Sequence, residues 1–259
     1  MYPEKNPFLQ VAVEAAKAAE AVIRRYYNTG VKVNLKQDSS PVTVADIESE
    51  REIIGVISRA FPAHGFFGEE TGKHKTEAEY LWLIDPIDGT KSFIRGTPFF
   101  STQIALMHKG HLIAGVSNAF MFNELAYAAA GEGAYLNDER IAVSTVKSLD
   151  AATLSAGNIG NLAVSAAWPA MGKLINAINR FRGYGDFLHY HLLAAGKLDC
   201  VIETGLSILD IAALTVIVRE AGGIFTDLSG EEINLGSTSV LAAATPELHK
   251  LILNRLQYP

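Results

Sequence analysis

The chain predicts an α+β first half over residues 1–143 and an α/β second half over residues 144–259. Three observations support this. Ahead of Ser144, two helical stretches lead into a nearly continuous run of alternating strands. Beyond Ser144, short apolar strands alternate with helices, the pattern of an α/β layer. The 259 residues are 49% hydrophobic, enough to bury one large core or two smaller ones. No repeat, low-complexity tract or flexible linker intervenes, so the halves are expected to pack tightly with a cleft between them.

Phe8 to Tyr27 is Ala-rich and apolar, with Glu14, Lys17, Glu20, Arg24 and Arg25 at helical spacing, so it predicts an amphipathic surface helix. An export signal or a membrane span would have an uninterrupted apolar run, so neither is expected. Val31 to Lys36 alternates like a strand, and Gln37 to Pro41 reads as a loop. A helix is expected from about Ala45 to Ala60, with Asp46 and Glu48 favourable in its first turn. Tyr80–Ile84, Phe100–His108 and Leu112–Asn118 read as strands, with Lys109-Gly110-His111 as a hairpin turn. Leu125–Ala130 and Gly133–Leu136 continue the sheet up to the polar turn Asn137–Arg140. In the second half, Ala152–Ala156, Asp199–Glu203, Ile224–Asp227 and Val240–Ala244 read as strands. Helices are expected over Ala163–Arg180, Phe187–Ala195, Ile208–Ala221 and Pro246–Leu256; Gly222-Gly223 caps the third.

The formal charge of −6, with both signs interspersed, presents no basic stripe and argues against nucleic acid as the main ligand. A single cysteine, Cys200, excludes an internal disulfide and fits a reducing cytoplasm. Its apolar neighbours make it a packing residue.

Chemistry concentrates in Trp82-Leu83-Ile84-Asp85-Pro86-Ile87-Asp88-Gly89-Thr90-Lys91. An apolar strand ends in two carboxylates, and a Gly-Thr turn follows. The turn exposes backbone N–H groups that attract anions, while the carboxylates suit a hard cation. Together these are the two halves of a phosphate-ester site. Read blandly, Asp85-Pro86 and Asp88-Gly89 are turn dipeptides. Further acids stand at Asp46, Glu69-Glu70 and Asp210, with no Cys or His among them, which argues against structural zinc.

Gly68-Glu69-Glu70, Asp85 to Thr90, and Leu209-Asp210-Ile211-Ala212-Ala213 followed by Glu220-Ala221-Gly222-Gly223 resemble the inositol monophosphatase family. Order and spacing match from Lys36 to Gly223. The resemblance implies a layered α-β-α-β-α sandwich and a Mg2+-dependent phosphatase with two or three ions per site. It implies Glu69, Asp85, Asp88, Asp210 and the carbonyl of Ile87 as metal ligands. Gly89 and Thr90 would offer N–H groups to phosphate. Asp46 and Thr90, with Glu69, would form the catalytic set that orients water, with Lys36 and Thr43 close by. Leu209 stands where the family usually has Trp, which alters the packing beside Asp210. The implied reaction is in-line attack by a metal-activated water, without a phosphoenzyme. Haloacid-dehalogenase-type phosphatases carry Asp-x-Asp-Gly-Thr, with one residue between the acids where this chain has two.

Arg182 to Tyr190 resembles the histidinol-phosphate phosphatase branch at Gly183-Tyr184-Gly185-Asp186-Phe187. Asp186 is also a natural helix cap. Carried across, Asp186 and Glu203 would contact the non-phosphate end of the substrate, suiting a cationic aminoalcohol. Glu203 would equally accept polyol hydroxyls. Histidinol phosphate is therefore the expected substrate, with inositol 1-phosphate or another sugar or polyol phosphate as the alternative. His189 and His191 stand two apart on a helix and face different ways; both read as packing. Tyr184 and Phe187 also read as packing, and Lys91 as a phosphate contact or helix surface. The resemblance further implies a homodimer, and it leaves a regulatory binding protein of the same fold as the rival from another class.

Overall fold

A computed structural model describes residues 6–29, 33–35 and 41–258. The candidate substrate residue Lys36 lies outside the described residues. Helix α1 (Pro7–Tyr26) starts on Asn6, whose side chain accepts from Phe8 N and Leu9 N. Its apolar stripe, Leu9 through Ile23, is buried. Strands β1 (Val33–Leu35) and β2 (Pro41–Thr43) pair antiparallel, so pairing resumes at the end of the expected loop. Helix α2 (Val44–Ala60) begins in a capping box between Thr43 and Asp46.

Strands β3 (Gly65–Gly68) and β4 (Gly72–His74) form a hairpin that periodicity does not reveal, because each is too short and glycine-rich to alternate. Strand β5 (Tyr80–Asp88) runs past the expected end at Ile84 and into the acidic motif. Helix α3 (Thr90–Ile94) follows, then strands β6 (Ser101–His108), β7 (His111–Ala119), β8 (Glu124–Ala129), β9 (Gly133–Leu136) and β10 (Glu139–Ile141). The turn before β10 narrows to Asn137 and Asp138, both at positive φ as a tight hairpin requires. The eight-stranded sheet has the order β10-β9-β8-β7-β6-β5-β3-β4. All its pairs are antiparallel except β3 with β5.

The second half supplies β11 (Thr153–Gly157), α4 (Gly160–Ala163), α5 (Trp168–Ala177) and β12 (Arg180–Arg182). The single helix expected over Ala163–Arg180 is thus two helices and a strand. Pro169 in the first turn of α5 lacks the N–H a continuous helix needs, so the helix restarts there. Helix α6 (Asp186–Ala194), strand β13 (Cys200–Thr204), helix α7 (Ile208–Glu220), strands β14 (Ile224–Thr226) and β15 (Ser239–Ala243), and helix α8 (Pro246–Leu256) complete the chain. The five-stranded sheet has the order β12-β11-β13-β15-β14.

The layers alternate α-β-α-β-α. Helices α1 and α2 cover one face of the large sheet; α6 and α7 lie between the sheets, and α5 and α8 pack together beyond the small one. Helix α7 is apolar nearly all round because both sheets enclose it. The central core mixes residues of both halves, from Leu81 and Ala128 to Val201 and Ala242. Among the described residues, no helix is long and apolar enough to cross a membrane.

Candidate active site

Four structural devices bring the acids together. The first is a bulge. Asp85 pairs with Gln103 and Asp88 with Ser101, so β5 holds one residue more than β6 between these positions. Side chains three apart on a regular strand face opposite ways, and the extra residue cancels that alternation. Pro86 fits here because a bulge does not need its missing N–H. Asp85 Oδ1 accepts from Ile87 N at 3.0 Å and so locks the bend.

The second device is a pair of capping boxes. Asp46 stands in the first turn of α2 and Asp210 in the first turn of α7. Asp46 Oδ2 accepts from Thr43 N at 2.8 Å, and Asp210 Oδ2 accepts from Ser207 N at 2.8 Å. Each cap fixes one carboxylate oxygen and leaves the other for the site.

The third device is the loop after β3, which sets Glu69 beside Asp85. Glu69 N donates to Ile84 O at 3.1 Å. Glu50 of α2, fully buried, accepts from Glu70 N at 2.8 Å and Thr71 N at 2.7 Å. A Cβ at Gly68 would come within 2.3 Å of Glu50 Oε1, so a larger residue before Glu69 would displace the Glu50 carboxylate. Sequence reading missed Glu50; its one signal was a charged residue on the buried face of α2.

The fourth device is the Gly89 turn. Gly89 has φ +92, and a Cβ there would meet Phe99 O at 2.6 Å. This turn starts α3 at Thr90, whose Oγ1 is 3.1 Å from Ile87 O and 3.3 Å from Asp46 Oδ1.

Asp85, Asp88 and Asp210 offer oxygens that all lie within 4.8 Å of one another. Burial and then the charges of Glu69, Asp88 and Asp210 push the Asp85 carboxyl well up. Burial and then Asp210, Asp186, Glu203 and Glu69 do the same to Asp88. Asp210 is raised to about 6, chiefly by burial. Asp46 is raised by burial, against the hydrogen bonds from Thr43, and by Glu69. Every charge raising these groups is another carboxylate, so the cluster is suited to hold a cation. An all-oxygen donor set suits a hard divalent cation.

Beside this cluster a small cavity is lined by Asp88, Asp186, Glu203 and Asp210, with Asn158 and Tyr190. Glu203 is 1% exposed and accepts from His189 Nε2 at 3.0 Å, Tyr190 OH at 2.8 Å and Asn158 Nδ2 at 3.3 Å. Asp186 is raised by burial and then by Glu203. Asn158 and Tyr190 were missed in the sequence, where they read as loop and helix. Phe187 is fully buried in the central core and Tyr184 packs against it, as expected. Lys91 is exposed.

The model of the inositol monophosphatase family matches residues 4–258. The chain belongs to this family. Like other inositol monophosphatase family members it is a phosphatase, a phosphoric monoester hydrolase. It is 36% identical to a histidinol-phosphatase of Mycobacterium tuberculosis, over 96% of this chain and 97% of that protein. It is 37% identical to the Nus factor SuhB of Pasteurella multocida, over 97% of this chain and 96% of that one. A solved inositol monophosphatase family structure, the IMPase of Thermotoga maritima, superposes with TM-score 0.86 at 30% identity, covering 97% of each chain. The layered α-β-α-β-α architecture is the one shared by this family.

Proposed function

We propose that the protein is a Mg2+-dependent phosphatase of small-molecule phosphate monoesters, with histidinol phosphate as its substrate. The observation that carries the substrate is the pairing of Asp186 with Glu203 on one cavity beside Asp88 and Asp210. Two carboxylates there suit an amino group on the leaving alcohol. Similarity to a histidinol-phosphatase supports the same choice. In this reading the first half carries most metal ligands, and the second half brings Asp210 and the specificity residues.

Glu69, Asp85, Asp88, Asp210 and the carbonyl of Ile87 would hold two or three magnesium ions. Magnesium bound there supplies a Lewis acid for the phosphoryl oxygens and lowers the pKa of the attacking water. The chain's own residues do the rest. Gly89 and Thr90 present backbone N–H groups to phosphate at the start of α3. Thr90 Oγ1 has its single proton directed to Asp46 Oδ1 or Ile87 O, which leaves lone pairs to accept from water and so aim it at phosphorus. Asp46, whose other oxygen is saturated by Thr43, can take the proton that Thr90 passes on. Attack is direct, and trapping a covalent phospho-aspartate would refute it.

Inositol 1-phosphate is the second reading, because Glu203 can also accept hydroxyls. A regulatory role rests on similarity to a protein named Nus factor SuhB. Stable capture of transcription proteins together with no phosphate release would favour it. We place the protein in the cytoplasm as a homodimer, on the lone buried thiol of Cys200 and on family resemblance respectively. The deciding experiment is phosphate release with magnesium, comparing L-histidinol phosphate and inositol 1-phosphate. Preference for the first supports the reading; preference for the second reduces Asp186 to a first-turn acid of α6, whose N-cap is Gly185, and leaves the metal site standing.

A further inference from the structure

His189 lies outside the phosphate chemistry, yet it is fully buried and all its polar capacity is committed. Its Nδ1 is 3.3 Å from Ser155 Oγ. That oxygen also accepts from Tyr184 N at 3.1 Å. The Glu203 carboxylate can only accept, so the neutral imidazole carries its proton on Nε2, donates it to Glu203 Oε2 at 3.0 Å, and leaves Nδ1 to accept from the Ser155 hydroxyl. Tyr190 OH donates to the same oxygen at 2.8 Å. Two donors thus fill Oε2.

Oε1 is treated differently. A Cβ at Gly157 would sit 2.4 Å from Oε1, so the strand β11 backbone approaches it closely. Its donor in the protein is the longer contact from Asn158 Nδ2, 3.3 Å, and Asn158 itself lines the cavity. Oε1 is thus the oxygen left for a donor on the substrate. The chain of bonds also reaches the opposite wall. Tyr184 begins the turn through Gly185, φ +72, and Asp186, φ +48, so the amide tied to Ser155 fixes the left-handed turn that aims Asp186. His191, two residues on, turns away to Glu124 and Ser117, each at 2.8 Å.

We infer that His189 is a positioning residue for substrate selection, holding Glu203 by one oxygen and, through Ser155, coupling it to the Asp186 turn. This rests on the reading of that cavity as the leaving-group pocket. It ties the discrimination of the leaving alcohol to a buried imidazole that never touches substrate.

The test compares histidinol phosphate with p-nitrophenyl phosphate, whose leaving group carries no amine or hydroxyl donor. His189→Leu should raise KM for histidinol phosphate about tenfold with kcat near wild type, and should change p-nitrophenyl phosphate constants by less than about twofold. His189→Gln, which can still donate to Glu203, should recover most of the loss. Equal losses on both esters, or an unchanged KM, would overturn the inference. If wild type instead prefers inositol 1-phosphate, the substrate reading fails, and the same split read on that ester still tests His189. Should His189→Leu not fold, Ser155→Ala serves as the milder variant. Proton–nitrogen correlation spectra of the magnesium-loaded protein give a readout independent of turnover. They should show His189 protonated on Nε2 in wild type and mixed in Ser155→Ala; a ring protonated on Nδ1 in wild type overturns the inference.

Discussion

Asp46 and Thr90 are 44 residues apart in the chain, and Thr90 Oγ1 lies 3.3 Å from Asp46 Oδ1. The contact joins the first turn of α2 to the first turn of α3 across the end of β5. Asp46 is fully buried, and its other oxygen is held by Thr43 N at 2.8 Å and Thr43 Oγ1 at 2.6 Å. Under the proposed mechanism, a carboxylate fixed on one side and bonded to a hydroxyl on the other would orient and accept a proton.

Asp46→Asn should therefore lower kcat by about a hundredfold or more, the usual worth of a positioned base, with the magnesium requirement little changed. Steady-state kinetics at saturating magnesium checks this. A kcat within a few-fold of wild type would remove Asp46 from the reaction.

Asp88→Asn should lose most activity and keep its fold. Without metal it should melt higher than wild type, because burial and the charges of Asp210, Asp186, Glu203 and Glu69 all oppose ionisation of Asp88. Phosphate release and thermal melting in chelator test the two halves separately. Turnover close to wild type would refute Asp88 as a metal ligand.

Metal-free protein should lose stability as pH rises. The folded state holds a proton on Asp210 up to about 6, above the ordinary 3.8, so the contribution is present in acid and fades from about pH 4 to 6. Asp85 and Asp88, also raised, extend the loss upward. His64 and His249, lowered by burial, push the other way over part of this range. Comparing wild type with Asp210→Asn isolates the acid, since both proteins share those histidines. In chelator, the melting temperature of wild type should fall relative to the variant between about pH 4 and 6. Parallel curves would contradict the assignment.

Glu50→Ala should weaken magnesium binding without touching the chemistry. Removing the acceptor for Glu70 N and Thr71 N loosens the loop that carries Glu69. Half-saturation by magnesium should rise about tenfold or more, as for other residues that orient metal ligands, with kcat at saturation largely kept. Calorimetric titration with magnesium gives the same answer without substrate. An unchanged affinity would make Glu50 a packing residue only.

Much of this was legible in the chain. The stripe of α1, Asp46 in the first turn of α2 and the Gly222-Gly223 stop are signals that act within a few residues. The acids were legible as types and spacings. The hairpin of β3 and β4 was not, because strands of three or four residues carry too little alternation. The break at Pro169 was legible in principle, since a proline interrupts a helical pattern.

By itself the sequence determined the alternation of elements, the acids at their ends and the family these motifs resemble. The tertiary structure decided how the acids meet. Asp85 and Asp88 face one way only because β6 imposes a bulge on β5, and a register shift depends on the partner strand. Glu50 reaches the Glu69 loop, and His189 reaches Glu203, only once α2 packs on the large sheet and α6 on the small one. Local propensity is written in neighbouring residues, whereas convergence of charges is a property of layers stacked from distant parts of the chain.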